Sequence, residues 1–143
     1  MRPRIAAIAI GVVAALALVA GPASAAGGAV RITLDVNFAT GVEEFTATGA
    51  FCPAGEAESF DTWVTGRGVN VFHLTKVFTC SDGTGTLEIR LDAPFIGALD
   101  GTTGGWRVIG GTGDYARATG GGHIAGVGNP TGIVDTYTGV VRR

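Results

Sequence analysis

The most suggestive spacing in the chain lies in WRVIGGTGDYARATGGG, Trp106 to Gly122. Gly111-Thr-Gly113-Asp-Tyr-Ala116 fits the G-x-G-x-x-G/A pattern by which dinucleotide-binding folds bring backbone N–H groups against a pyrophosphate. That chemistry needs a helix whose N-terminus faces the phosphates, and then a second parallel strand. The would-be helix here, Ala116 to Thr119, is about one turn long before Gly120, Gly121 and Gly122 break it. An acidic residue at roughly the expected distance, Asp135, does not rescue the pattern. A P-loop fails because no Gly-Lys-Ser/Thr follows. Gly110 to Asp114 also resembles one unit of the calcium-binding G-G-x-G-x-D repeat, but Tyr115 breaks it, and such sites need stacked copies.

The remaining chemistry-bearing residues are few. His73 and His123 are the only histidines and have no acidic ligand pattern beside them, so no metal site is expected. There is no G-x-S-x-G elbow to hold a nucleophilic serine, and no cofactor is implied. The carboxylate pairs Glu43-Glu44 and Glu56/Glu58 lie near turns and read as solvated surface. Cys52 and Cys80 are the only cysteines. Without C-x-x-C spacing they are expected to pair as a structural disulfide, which closes a loop and stabilises the fold by about 3–4 kcal/mol on the chain-entropy model.

The elements that position these residues are strands. VRITLDVNF sets Val30, Ile32, Leu34, Val36 and Phe38 on one face and Arg31, Thr33, Asp35 and Asn37 on the other. GTLEIRLDA repeats the alternation with Leu87, Ile89 and Leu91. Further strands are expected near Glu44–Phe51, Ser59–Val64, Asn70–Thr79, Gly105–Ile109, Gly122–Val127 and Ile133–Val140, making eight with those two. Asp82-Gly83 and Asn129-Pro-Thr-Gly132 supply turn chemistry between them. Glycine is far above ordinary usage after residue 25, which fits tight corners in a closed antiparallel sheet and fits a helical protein badly. The fold class expected is all-β: a single small antiparallel eight-stranded barrel with one short helical turn and one disulfide. If one end stays open, Trp63, Trp106 and Tyr137 are candidates to line an apolar pocket, with Arg90 or His73 as its polar anchor.

In GWRVIGGTGDYARATGGGHIAG, the residues Gly110, Gly111, Thr112, Gly113, Tyr115 and Gly120 resemble the signature of allene oxide cyclase-like and dirigent-like proteins. The resemblance implies an eight-stranded, calycin-like barrel and, where such barrels are enzymes, a cofactor-free cyclase or isomerase. Dirigent proteins place Ala-Arg before the closing glycine. This chain has Ala118-Thr119 there, with Arg117 its only nearby arginine, and so departs from the family pattern at the position of a dirigent-type basic active-site residue. Asp35 stands where a cyclase carboxylate would by position alone, and alternation puts it on the polar face. In structural terms, Gly110 and Gly111 are expected to take backbone angles closed to other residues, Thr112 to cap a helical turn and Tyr115 to plug the barrel end.

Arg2 and Arg4, the apolar run Ile5–Ala20 and the triplet Ala23-Ser24-Ala25 read as a signal peptide over residues 1–25, ahead of one barrel domain over 26–143. The apolar run is shorter than the ~20 residues a membrane span needs. An exported, soluble product of a GC-rich bacterial genome is expected, with no membrane association after cleavage. Without Arg2 and Arg4 the chain holds 8 Lys and Arg against 12 Asp and Glu, a net charge of −4. This argues against a nucleic-acid partner, which requires a clustered basic face. The function expected is non-catalytic binding of a small apolar ligand or an extracellular protein. The alternatives are a cofactor-free cyclase or dirigent-type isomerase and a structural envelope protein.

Overall fold

A computed structural model describes residues 27–67, 69–97 and 100–143. The leader expected over residues 1–25 lies outside them. Alternating sequence becomes eight strands: β1 (Gly27–Asn37), β2 (Val42–Gly49), β3 (Ala54–Thr65), β4 (Val71–Cys80), β5 (Thr86–Ile96), β6 (Gly101–Gly111), β7 (Thr119–Asn129) and β8 (Gly132–Arg142). Each pairs antiparallel with the next, and β8 returns to β1, so the sheet closes into a barrel. Closure satisfies the edge groups that an open sheet would expose.

The register carries the hydrophobic pattern inward. Val30, Ile32, Leu34 and Val36 of β1 are buried, and Ile32 and Leu34 stand opposite Tyr137 and Asp135 of β8. Leu87, Ile89 and Leu91 of β5 are likewise buried, opposite Phe78, Lys76 and Leu74 of β4. The seam between β2 and β3 is the shortest ladder, three residue pairs from Glu44↔Glu56 to Thr46↔Ala54. Further along β3 the register with β4 shifts between Phe60 and Trp63, where Asp61 adopts φ 49°.

The two ends differ. At one, Phe45, Phe51, Phe78 and Tyr115 interlock, with ring centroids 5.3 Å apart for Phe45–Phe78 and 4.9 Å for Phe51–Tyr115. Edge-to-face pairs of this kind add about 0.5–1.5 kcal/mol each beyond area burial. The Cys52–Cys80 disulfide ties the same end together, its Cα atoms 5.9 Å apart. Tyr115 is 1% exposed and does plug this end, with the Arg143 guanidinium over its ring.

The glycine segment turns the corner between β6 and β7 through one 3-10 turn, Gly113–Tyr115. Two details differ from expectation. Thr112 makes no capping bond; its hydroxyl instead accepts from the backbone N–H of Thr86 at 3.1 Å, tying the corner to β5. The left-handed backbone lies at Gly113 (φ 58°) and not at Gly110 or Gly111. A Cβ at Gly113 would also collide with the carbonyl of Thr84, so the residue is required by both angle and space.

Candidate functional site

The other end is hollow. A cavity of about 580 Å3 opens there, walled mainly by apolar side chains such as Val36, Phe72, Leu74, Leu91, Phe95 and Ile133. An eight-stranded barrel is just narrow enough for side chains to fill. This one stays open because the inward positions toward that end carry short residues, among them Ser59, Thr62, Ala93, Thr102 and Gly128. The volume suits a small organic molecule, for which sites run from about 300 to 1,000 Å3.

Four polar side chains converge on the inner part of the cavity: Glu43, Lys76, Asp135 and Tyr137. Each arrives by strand alternation. Glu43 precedes inward Phe45 on β2, Lys76 lies between inward Leu74 and Phe78 on β4, and Asp135 and Tyr137 follow Ile133 on β8. Lys76 is 4% exposed, and its ammonium donates to Glu43 Oε2 at 2.6 Å. The other carboxylate oxygen of Glu43 accepts from the Ser59 hydroxyl at 2.9 Å. One carboxylate therefore links β2 to β3 and β4 beside the short seam, where backbone pairing is missing.

Asp135 accepts a hydrogen bond from the Thr102 hydroxyl at 3.4 Å. The two groups meet over Gly126, where a Cβ would overlap both oxygens. Burial raises the Asp135 pKa above the ordinary carboxylate value, and the charge of Glu43 pushes the same way. The Lys76 ammonium and the Thr102 bond oppose the shift without cancelling it. Tyr137 is fully buried, and its hydroxyl is the one buried side-chain oxygen or nitrogen without a hydrogen-bond partner among the described residues. Its pKa is raised well above the usual phenol value, first by burial and then by the charges of Asp135 and Glu43. The ring stands edge-on to Phe78 and Trp106, so Tyr137 separates the packed half of the barrel from the hollow half.

The five residues expected to form a pocket do not meet in it. Tyr137 lines the cavity. Trp106 is buried in the core behind it, its indole N–H donating to the carbonyl of His123 at 3.0 Å. Trp63, His73 and Arg90 are on the outer wall: His73 and Arg90 alternate with the inward Leu74 and Leu91, and Trp63 stands opposite His73. There they form a layered cluster: Trp63 stacks on His73 with centroids 5.2 Å apart, and the Arg90 guanidinium sits 4.8 Å from the Trp63 ring centre. The His73 ring bridges the Thr65 hydroxyl, at 2.8 Å, and the Asp92 carboxylate. Trp63 and His73 are directly opposite each other, as are His73 and Asp92, so the cluster is a cross-strand ladder on the barrel's outside.

Sequence reasoning missed Glu43, Lys76 and Asp135. Glu43 was expected at the solvated surface, yet its side chain is only 13% exposed. The signal was present in the alternation, since Phe72, Leu74, Lys76 and Phe78 share one face. Comparison of the chain with protein-family models, with curated proteins and with solved structures found no match in any of the three.

Proposed function

We propose that the barrel binds a small, largely apolar molecule carrying one oxygen function, taken into the open end with its polar head inward. The observation that carries this reading is the cavity itself: about 580 Å3, apolar walls, and polar groups gathered at its inner part. Apolar burial supplies the affinity, and a few fixed polar groups set the orientation. Tyr137 offers a hydroxyl that the folded protein leaves unpartnered, so an acceptor oxygen on the ligand restores a hydrogen bond otherwise missing. The reading includes export. The leader supports it, and the Cys52–Cys80 disulfide is compatible with an oxidising destination.

The test is displacement of an apolar fluorescent probe by matched pairs of ligands, for example decanol against decane. Saturable displacement, with decanol preferred and the preference lost in Tyr137→Phe, is the expected result. Binding that is equal for the two ligands removes the head-inward orientation. No saturable binding removes the reading.

One observation favours a second reading, acid–base isomerisation or cyclisation of the kind the family resemblance implies. Asp135 is held toward its neutral form, and Tyr137 carries a free donor in the same cavity. Such a pair can polarise a carbonyl while a proton moves at a neighbouring carbon. Under this reading Asp135→Asn abolishes turnover of a bound enone or epoxide without abolishing its binding.

A further inference from the structure

Lys76 is the only lysine in the chain, and β4 turns it into the barrel. Every other fixed cationic side chain is arginine, which does not give up its proton in proteins. An amine is different: once deprotonated it is a nucleophile. At Lys76 the proton already has a recipient, Glu43 Oε2 at 2.6 Å. Fold stability does not account for the pair, since replacing a buried ion pair with apolar side chains of similar size is often neutral or stabilising.

Resting on the reading of the cavity as a ligand site, we infer that the Lys76 amine forms an imine with an apolar aldehyde held in the barrel, Glu43 acting as proton carrier and counter-ion. The carboxylate of Glu43 takes one proton from the Lys76 ammonium. The amine lone pair then attacks the carbonyl carbon, and the C=O π pair moves to oxygen. A proton passes from nitrogen to that oxygen, giving a carbinolamine. Glu43 returns its proton to the hydroxyl, the C–O bond breaks, water leaves, and the nitrogen lone pair closes the C=N bond. Ammonium and aldehyde become iminium and water, with no change of oxidation state and no other reactant. The site begins and ends as one cation beside one carboxylate. Tyr137, unpartnered and lining the same cavity, is the donor available to the aldehyde oxygen.

An aldehyde fits better than a charged ligand. Its head is small and polar enough for the floor, its tail matches the apolar walls, and its electrophilic carbon enters at the depth where the only side-chain amine lies. The ion pair also prepares the product, because the iminium inherits the counter-ion that the ammonium had.

The test uses the mature chain with decanal, followed by reduction with cyanoborohydride and peptide mapping by mass spectrometry. The backbone N-terminus is the only other amine and serves as an internal control. The expected product is Lys76 carrying the mass of decanal less one oxygen, formed faster than the N-terminal adduct and lost as a preference in urea. K76R keeps a cation beside Glu43 and cannot form the imine. It should lose all labelling except at the N-terminus. E43Q should slow imine formation by about 100-fold, the lower range for loss of a proton-transfer group. Labelling confined to the N-terminus, or Lys76 labelling no faster than in urea, overturns the inference. If decanol binds and Lys76 is unlabelled, the imine fails and the cavity reading stands; if neither decanol nor decanal binds, both fail.

Discussion

The Lys76–Glu43 pair allows a stability experiment in which the sign, and not only the size, discriminates. The perturbations are Lys76→Met, Glu43→Leu and the two together. An exposed ion pair contributes about 0.2–1 kcal/mol. Removing one partner of a buried pair costs about 3–5 kcal/mol, because the remaining charge is stranded. With side chains 5% and 13% exposed, this pair belongs to the second class. Lys76→Met strands Glu43, but that carboxylate keeps its bond from Ser59 and faces an open cavity, which puts the cost at the low end, about 3 kcal/mol. Glu43→Leu is expected to cost less, about 2 kcal/mol. Asp135 is held toward neutrality partly by the charge of Glu43; with Glu43 gone, it ionises more readily and becomes the counter-ion of Lys76. The double variant removes both charges together and is expected within about 1 kcal/mol of the wild type, or above it. Urea unfolding at neutral pH with the disulfide intact gives all four corners of the cycle. A Lys76→Met cost below about 1 kcal/mol means the pair is effectively solvated. A double variant no more stable than Lys76→Met refutes the stranded-charge argument outright.

Other expectations are simpler. Folding raises the Asp135 pKa, so neutral Asp135 fits the folded state better than the ionised form. That contribution is fully present below the unfolded carboxylate pKa, about 3.9, and is lost as pH rises through the folded value. Asp135→Asn should therefore raise the melting temperature most at neutral pH, with the gain shrinking toward pH about 3; a pH-independent gain contradicts the assignment. Gly126→Ala inserts a methyl where Asp135 and Thr102 meet and should cost about 1–3 kcal/mol in denaturant unfolding while shifting the pH dependence set by Asp135. Tyr115→Ala removes a buried ring from the aromatic plug and should cost about 3 kcal/mol; an unchanged melting temperature contradicts the plug. Trp63→Ala loses stacking on His73 and the Arg90 contact, worth about 1 kcal/mol, and should leave probe affinity in the cavity unchanged.

The architecture was legible because a barrel wall is written in period two. VRITLDVNF and GTLEIRLDA state which side chains face inward, and the glycine and Asp-Gly corners state where the wall turns. The same rule, applied to each polar residue, would have placed Lys76 on the face of Leu74 and Phe78, and Asp135 on the face of Ile133 and Tyr137. Inward charges at these positions run against the general tendency of charged side chains to face water. Glu43 was harder, because its neighbour Glu44 makes the pair look like a solvated turn, and only its register opposite Val36 shows which of the two points in. Trp63 could not be assigned from spacing: the shift between Phe60 and Trp63 resets the alternation of β3, and no residue type in FDTWVT announces it.

The cavity and the plug are linked through the size of the inward side chains. At the disulfide end the inward positions carry Phe45, Phe78, Trp106 and Tyr137, and the rings fill the cross-section that eight strands enclose. At the open end that cross-section is surrendered, and the dispersion contacts which would have filled it are absent. The packed half must then carry most of the cooperative stability, and there the disulfide and the interlocked rings concentrate. Tyr137 belongs to both halves: its ring completes the packed layer, and its hydroxyl is left facing the polar floor without a partner. A protein that needed only to stand would fare better with phenylalanine at that position, since an unsatisfied buried hydroxyl costs about 1–3 kcal/mol. The unpaired hydroxyl is therefore the atom at which the demands of folding and of ligand binding diverge most clearly.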